Sequence, residues 1–280
     1  MLTLTEEFLK AKKENLSSQL TIKNYGIDLK QTLPLIFNKK EEDIIVEDLK
    51  FVTSLKVRKV LEKLMNDNNY SVTTINRRLA SFKAFMGYFS AKYNFPNTIH
   101  SMKKFNDTRV HEIEFIPNDT VKELVKRAKA ESPKMYLIIG LLFNTGLRSA
   151  ELLSLKLENV HEDCIVVEGK GGKMRRVELN AVARDCLATY LSTVDIKSGN
   201  IIQMRYETLR RQYTRFLKKQ NVDCSRLHTA RKSFATNLIE KGGVEVIPDV
   251  AKLLGHSSIQ TLQSHYLGSS TKKLTVSLLD

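Results

Sequence analysis

Apolar residues recur every three to four positions along most of this 280-residue chain. That is the spacing of helices that bury one face. In "SSQLTIKNYGIDLKQTLPLI" the residues Leu20, Ile22, Tyr25, Leu29 and Leu33 follow it. "VEDLKFVTSLKVRKVLEKLM" repeats the pattern and reads as a further helix. "TLTEEFLKAKKE" opens on a capping box, assigned to Thr5 with an acidic residue close behind. "SVTTINRRLASFKAFMGYFSAKY" sets Arg77, Arg78 and Lys83 beside Phe82, Phe85, Tyr88 and Phe89. The aromatics read as a core face, and the three basic residues as an outward face.

Periodicity weakens at "KKFNDTRVHEIEF", residues 103 to 115. This places a first helical domain at 1–104, a linker at 105–115 and a second domain at 116–280. The second domain opens on "PNDTVKELVKRAKA", with Asn118 or Asp119 as its cap. "MYLIIGLLFNTGLRSAELLSL" predicts a buried helix, a glycine-marked break and a second helix. Only "CIVVEGKGGKMRRVELN" departs from the helical period. Its "CIVVE" and "RRVEL" are short β-branched runs, and the "GKGGK" between them is turn chemistry. Helices resume through "YETLRRQYTRFLKKQ" and "HTARKSFATNLIEK" to the end. The expected fold is therefore mainly α with one small β-hairpin, an α+β chain of two domains.

Composition narrows the partners. Apolar residues make up 42% of the chain, enough for substantial cores. The net charge is +14, and it is not confined to a tail. Residues 1–110 carry 19 basic and 12 acidic side chains, and the remainder 26 and 19, so each part is +7. Residues 51–110 alone hold 11 basic against 3 acidic. A polyanion is the partner this implies, because neutralising phosphates releases condensed counterions. A generally basic surface with no ligand is the plainer account, and charge alone does not separate the two. The basic residues Arg77, Arg78 and Lys83, with Lys173 of the glycine-rich turn and Arg210 and Arg211 of the later basic helix, are the candidate DNA contacts. Cys164, Cys186 and Cys224 lie far apart, with no zinc-ligand spacing. An odd cysteine count and no signal peptide fit a cytoplasmic location. No apolar run approaches the roughly eighteen residues of a membrane span.

Four separated pieces then ask for one explanation. Arg148 of "TGLRSAELLSL" sits where a helix begins, and Glu151 lies three residues on, on the same face. Its apolar setting suggests a partly buried guanidinium, which wants an anion. The hairpin tip offers Lys170 or Lys173. "LHTARKSFATN" puts His228 and Arg231 on one face of a helix start, an end that favours phosphate. "LLGHSSIQTLQSHYLG" supplies His256 and Tyr266, the only tyrosine after Tyr213. Each feature alone is ordinary: a surface pair, a solvated lysine, a polar histidine, a packed tyrosine. Together they suit phosphoryl transfer without metal, with guanidinium forks on the non-bridging oxygens and a phenol as nucleophile.

The motifs "TGLRSAELLSL", "GKGGK", "HTARKSFAT" and "LLGHSSIQTLQSHY" resemble those of the tyrosine recombinases, the integrase and Xer group, in that family's order. The N-terminal "SSQLTIKNYGIDLKQTL" and "TTINRRLASFKAFMGYF" are similar to its helical core-binding domain. The resemblance implies a two-domain DNA clamp and a site-specific recombinase. Arg148 and Arg231 would clamp the scissile phosphate. Lys170 would be the general acid for the leaving 5′-oxygen, although spacing leaves Lys173 open. His228 would act as general base toward Tyr266, and His256 would hydrogen-bond the phosphate. Tyr266 would attack to form a 3′-phosphotyrosyl bond, and Glu151 would buttress the site. The resemblance implies no nucleotide, metal or other cofactor. It implies a homotetramer on double-stranded DNA that exchanges strands through a Holliday junction, in integration, excision or resolution. The tail after Tyr266 would pack on a neighbouring protomer.

Two departures stand out. Ala230 and Lys232 occupy the places where the family commonly has leucine and a second histidine. Tyr266 is ten residues after His256, where many relatives have nine. A different class of protein also fits the C-terminal stretch. "DVAKLLGHSSIQTLQSHY" imitates a helix-turn-helix, as in a non-catalytic DNA-binding regulator. That reading leaves Arg148 with Glu151, the lysine-tipped hairpin and the His228–Arg231 pair as coincidences. A type IB topoisomerase-like enzyme would share the chemistry and lack site specificity.

Overall fold

The computed structural model describes residues 2–15, 18–107, 114–169, 172–223 and 226–255. The chain divides into two compact units, Met1–Val110 and His111–Asp280.

The regular structure in the described residues of the first unit is all helix: α1 (Leu4–Glu14), α2 (Gln19–Phe37), the short α3 (Val46–Lys50), α4 (Ser54–Asp67) and α5 (Val72–Tyr93). Helices α1, α2 and α5 pack on one another, and α4 joins α2 and α5. Their shared core contains Phe8, Leu29, Leu33, Leu61, Ile75, Phe82, Phe85 and Phe89, all fully buried. The predicted aromatic face of α5 is thus a core face.

Two local expectations shift. The capping box of α1 belongs to Thr3 and Glu6, with Glu6 N–H donating to Thr3 Oγ1 at 3.2 Å and Thr3 N–H to Glu6 Oε2 at 2.9 Å. Thr5 lies inside that helix and is buried. The segment "VEDLKFVTSLKVRKVLEKLM" is two helices, because Thr53 is extended and caps α4 through Lys56 N–H.

Phe105, assigned from sequence to the linker, packs in the first core. Its backbone N–H and C=O are both held by the Asn76 side chain, at 2.8 and 2.9 Å. The second unit opens at α6 (Asn118–Glu131), where Pro117 occupies the cap position without a side-chain bond. Asn118 and Asp119 are therefore inside the helix, and Asp119 pairs with Lys122.

In the second unit α7 (Pro133–Thr145) is apolar on every side and buried almost throughout, as expected of a central helix. It packs against α6, α9 (Ala181–Leu191) and α11 (Leu227–Gly242). The short α8 (Ser149–Ser154) follows α7. Strands β1 (Cys164–Glu168) and β2 (Met174–Glu178) form the predicted antiparallel hairpin, with Val167 opposite Arg175. The remaining helices are α10 (Tyr206–Lys219) and α12 (Ile247–Leu254). Among the described residues the fold is mainly helical with one two-stranded sheet, the expected class. Among the described residues no helix is long and apolar enough to cross a membrane.

Candidate active site

The site begins at the break between α7 and α8. Gly146 takes a left-handed conformation, φ +62°, after the last turn of α7. A Cβ there would lie 2.5 Å from Phe234 and 2.6 Å from Leu254, so glycine is required twice over. This tight turn delivers Arg148 to the N-cap of α8. Glu151, one turn on, folds back to it. Its Oε2 accepts the Arg148 backbone N–H at 2.8 Å, and its Oε1 accepts Arg148 Nη1 at 2.7 Å. The first contact caps the helix; the second holds the guanidinium.

Helix α11 contributes Arg231, 2% exposed. Its Nη1 donates to the Gly146 carbonyl at 2.8 Å and lies 3.8 Å from Glu151 Oε2. Its Nη2 donates to the Leu254 carbonyl at the end of α12. The hairpin contributes a residue that sequence reasoning missed. Arg175 Nη2 donates to Glu151 Oε2 at 2.8 Å, and Arg175 Nη1 to the Leu253 carbonyl at 2.9 Å. Strand alternation could have found it. Arg175 shares the inward face with Val177, while Arg176 points outward to Asp163 and Glu178.

Three guanidinium groups thus converge on one buried carboxylate. Their formal sum, with Glu151, is +2. Burial, followed by the nearby charge of Arg148, pushes Arg231 down to about 9; Glu151 opposes this shift. The group still carries its charge at neutral pH. His228, one turn before Arg231, keeps solvent contact on an otherwise buried stretch of α11. Its pKa is lowered, first by desolvation and then by the charges of Arg231, Lys232 and Arg148. A neutral imidazole at neutral pH is the form a general base needs. A surplus of positive charge in a partly buried site is unfavourable until an anion enters. An entering phosphodiester would bring that anion, and Arg148, 36% exposed, is the most open of the three guanidinium groups.

The structure therefore brings together Arg148, Glu151, Arg231 and His228 of the expected site. Lys170, His256 and Tyr266 lie outside the described residues. So do Cys224 and the tail after Tyr266. Lys173 is exposed on the hairpin, its carbonyl accepting Gly169 N–H at 2.8 Å. Gly255, at φ +63°, ends α12 against Arg175, whose Cδ would stand 3.0 Å from an added Cβ. The described backbone thus ends at Gly255, directly beside the Arg175 side chain.

The expected DNA contacts divide. Arg210 and Arg211 are exposed on α10, next to Arg215 and Lys218. Arg78 is instead 3% exposed, stacked on Tyr70 and donating to Gln31 Oε1. Arg77 is half-exposed and paired at 2.7 Å with the buried Asp28, which also accepts from Ser81. Lys83 donates to the carbonyls of His100 and Met102. In this conformation Arg78 faces the core, and Arg77 and Lys83 are tied to their own unit. The outward basic face read from sequence is corrected to that extent. The reason is long-range: Asp28, Gln31 and the 100–102 turn come from other segments and supply the partners.

The sequence profile described as the Phage integrase family matches residues 114–273, which spans the whole cluster. The chain belongs to the phage integrase family. Curated relatives agree. Tyrosine recombinase XerD of Staphylococcus saprophyticus is 28% identical over 97% of both chains. Tyrosine recombinase XerD of Oceanobacillus iheyensis is 30% identical over 71% of this chain and 73% of its own. Among solved structures, a XerH site-specific recombinase bound to a palindromic difH substrate has a TM-score of 0.70 at 18% identity, covering 99% of this chain and 95% of that one. A lambda integrase dimer bound to a core site has a TM-score of 0.67 at 15% identity, over 92% and 95%. At such identities the structures establish the shared fold. As a member of this family the chain is a tyrosine-type site-specific DNA recombinase.

Proposed function

We propose that this integrase-family recombinase cleaves and rejoins DNA through a covalent bond to Tyr266, using the cluster around Glu151 to hold the scissile phosphate. The observation that carries the reading is the convergence of Arg148, Arg175 and Arg231 on a single carboxylate. Arg148 and Arg231 neutralise the non-bridging oxygens and the charge that builds on them in the transition state. His228, held neutral, takes the Tyr266 proton as the phenolate oxygen attacks phosphorus. The P–O5′ bond breaks, and the leaving 5′-oxygen takes a proton from Lys170. The bond formed is a 3′-phosphotyrosyl ester, which the 5′-hydroxyl of a second strand attacks to reverse the step. His256 hydrogen-bonds the phosphate. Tyr266 stands eleven residues after Gly255. That tether spans up to roughly 36 Å when extended, so chain length leaves the phenol free to reach the cluster.

The lambda integrase tetramer solved on a Holliday junction supports the same assembly for this chain: a homotetramer on two DNA sites. Both units contribute to DNA binding, since each carries +7. Arg210 and Arg211 contact the backbone, and the protein acts in the cytoplasm in resolution, excision or integration.

The test uses nicked suicide duplexes and a denaturing gel. Duplex sites are first selected from a random-sequence pool by repeated mobility shift with this protein, then nicked at successive positions. The expected result is a covalent protein–DNA band that is absent in Tyr266→Phe and strongly reduced in Arg148→Ala. A mobility shift with no covalent band at any nick position would make the protein a binding regulator. Relaxation of plasmids lacking the selected site would make it a topoisomerase.

A further inference from the structure

Arg175 has no part in the chemistry just described, yet it occupies the centre of the site's scaffolding. It is the one hairpin cation that points inward among the described residues, with a side chain 14% exposed. Its two terminal nitrogens serve different elements. Nη2 holds Glu151 Oε2 at 2.8 Å, and Nη1 holds the Leu253 carbonyl at 2.9 Å. Leu253 lies in the last turn of α12, whose carbonyls have no partner within the helix. The neighbouring Leu254 carbonyl is taken by Arg231. Gly255 then passes close against the Arg175 side chain, within 3.2 Å of Nε for any added Cβ. One guanidinium plane thus joins β2, the carboxylate at the start of α8 and the end of α12.

The consequence concerns geometry. Glu151 has two oxygens, and each must face the right arginine: Oε1 toward Arg148, Oε2 toward Arg175 and Arg231. Without Arg175, Glu151 keeps its bonds to Arg148 at the start of the same helix and the 3.8 Å contact with Arg231, but loses the 2.8 Å hydrogen bond that ties the carboxylate to β2, so the Glu151–Arg148 pair can shift together. The guanidinium of Arg148 then loses its fixed pose. The same loss frees the Leu253 carbonyl at the point where the chain departs toward His256 and Tyr266.

We propose that Arg175 is a positioning residue for strand cleavage: it sets the Glu151 orientation that aims Arg148 and Arg231, and it locates the start of the segment that delivers Tyr266. This rests on the reading of Tyr266 as the nucleophile. A point charge cannot replace it fully, because a lysine ammonium lacks the planar fork that meets a carboxylate and a carbonyl together.

The experiment compares wild type, Arg175→Lys and Arg175→Ala, as full chains, on the selected and nicked duplex at saturating protein. Three quantities are measured: DNA affinity by mobility shift, the single-turnover rate of covalent complex formation, and the melting temperature. A 1 Å misplacement at a reacting centre slows chemistry about 100-fold. Arg175→Ala is therefore expected to bind DNA within about threefold of wild type and to cleave roughly 100-fold more slowly once bound. Arg175→Lys is expected to recover part of that rate, leaving a deficit of about tenfold. Bound-state cleavage by Arg175→Ala within twofold of wild type would overturn the positioning role, even with a lower melting temperature. If Arg175→Ala does not fold, wild-type bound-state cleavage by Arg175→Lys would overturn it. A wild-type protein that binds the duplex and never forms the covalent complex would sink the nucleophile assignment and this proposal with it, a result distinct from either of the others.

Discussion

Replacing Glu151 with glutamine tests the electrostatic logic of the site most severely. The substitution keeps the shape and removes the single negative charge among three guanidinium groups. The Glu151 side chain is 4% exposed, and those of Arg231 and Arg175 are 2% and 14% exposed. Removing one partner from a buried ion pair costs about 3–5 kcal/mol, because the remaining charge is left uncompensated. The Arg148 contact is a third open to solvent and is discounted to no more than about 1 kcal/mol. Part of the hydrogen bonding survives, since the amide oxygen can still accept one N–H. The lower end of the range, about 3 kcal/mol, is the expected loss. For a unit of this size that corresponds to a fall in melting temperature of roughly 6–12 °C. The change should shrink when DNA is bound, because a phosphodiester restores an anion to the cluster. Paired melts of wild type and Glu151→Gln, with and without the selected duplex, measure both effects. A loss below about 1 kcal/mol without DNA, or an equal loss with and without it, would refute this balance of charges.

Two further expectations follow from the same geometry. The pKa of His228 is lowered from its ordinary 6.5 by desolvation and by Arg231, Lys232 and Arg148, so the unfolded chain binds that proton more tightly than the folded one. Stability therefore falls as pH drops through 6.5 toward the folded value, and this group adds no penalty above 6.5. The second-order rate of covalent complex formation, which reports the free enzyme, should have its acid limb below 6.5; a limb at or above 6.5 would contradict the assignment. On the DNA-binding side, Arg210→Ala and Arg211→Ala should each lower the slope of log affinity against log salt by about 1, whereas Arg78→Met should leave that slope unchanged and lower the melting temperature. The reverse pattern would place the phosphate contacts on α5.

Helical periodicity made most of the fold legible: α5, α6 and α10 each bury a face that the spacing of their own residues displays, and the apolar run of α7 is buried nearly throughout, whereas in α2 Leu29 and Leu33 are buried but Leu20 at the first turn is exposed. The hairpin was equally plain from its β-branched runs and glycine turn. The core of the site was legible where partners are near in sequence: Arg148 with Glu151, and His228 with Arg231, each lie one helical turn apart. Arg175 was not, because its partners lie 24 and 78 residues away and only folding joins them. Arg78 misled for the same reason. On α5 alone it belongs to a basic face, and only Gln31 and Tyr70 from other segments turn it into a buried residue. The split between α3 and α4 turned on Thr53, a capping residue inside an otherwise continuous apolar period.

The proposed chemistry requires Tyr266 to become esterified to DNA beside the guanidinium cluster. Isolating the covalent complex, digesting both components and sequencing the nucleotide-bearing peptide by mass spectrometry measures this directly. The expected product is the peptide containing Tyr266, carrying a nucleotide through its 3′-phosphate. A nucleotide found on another residue, or joined through its 5′-phosphate, would contradict that chemistry.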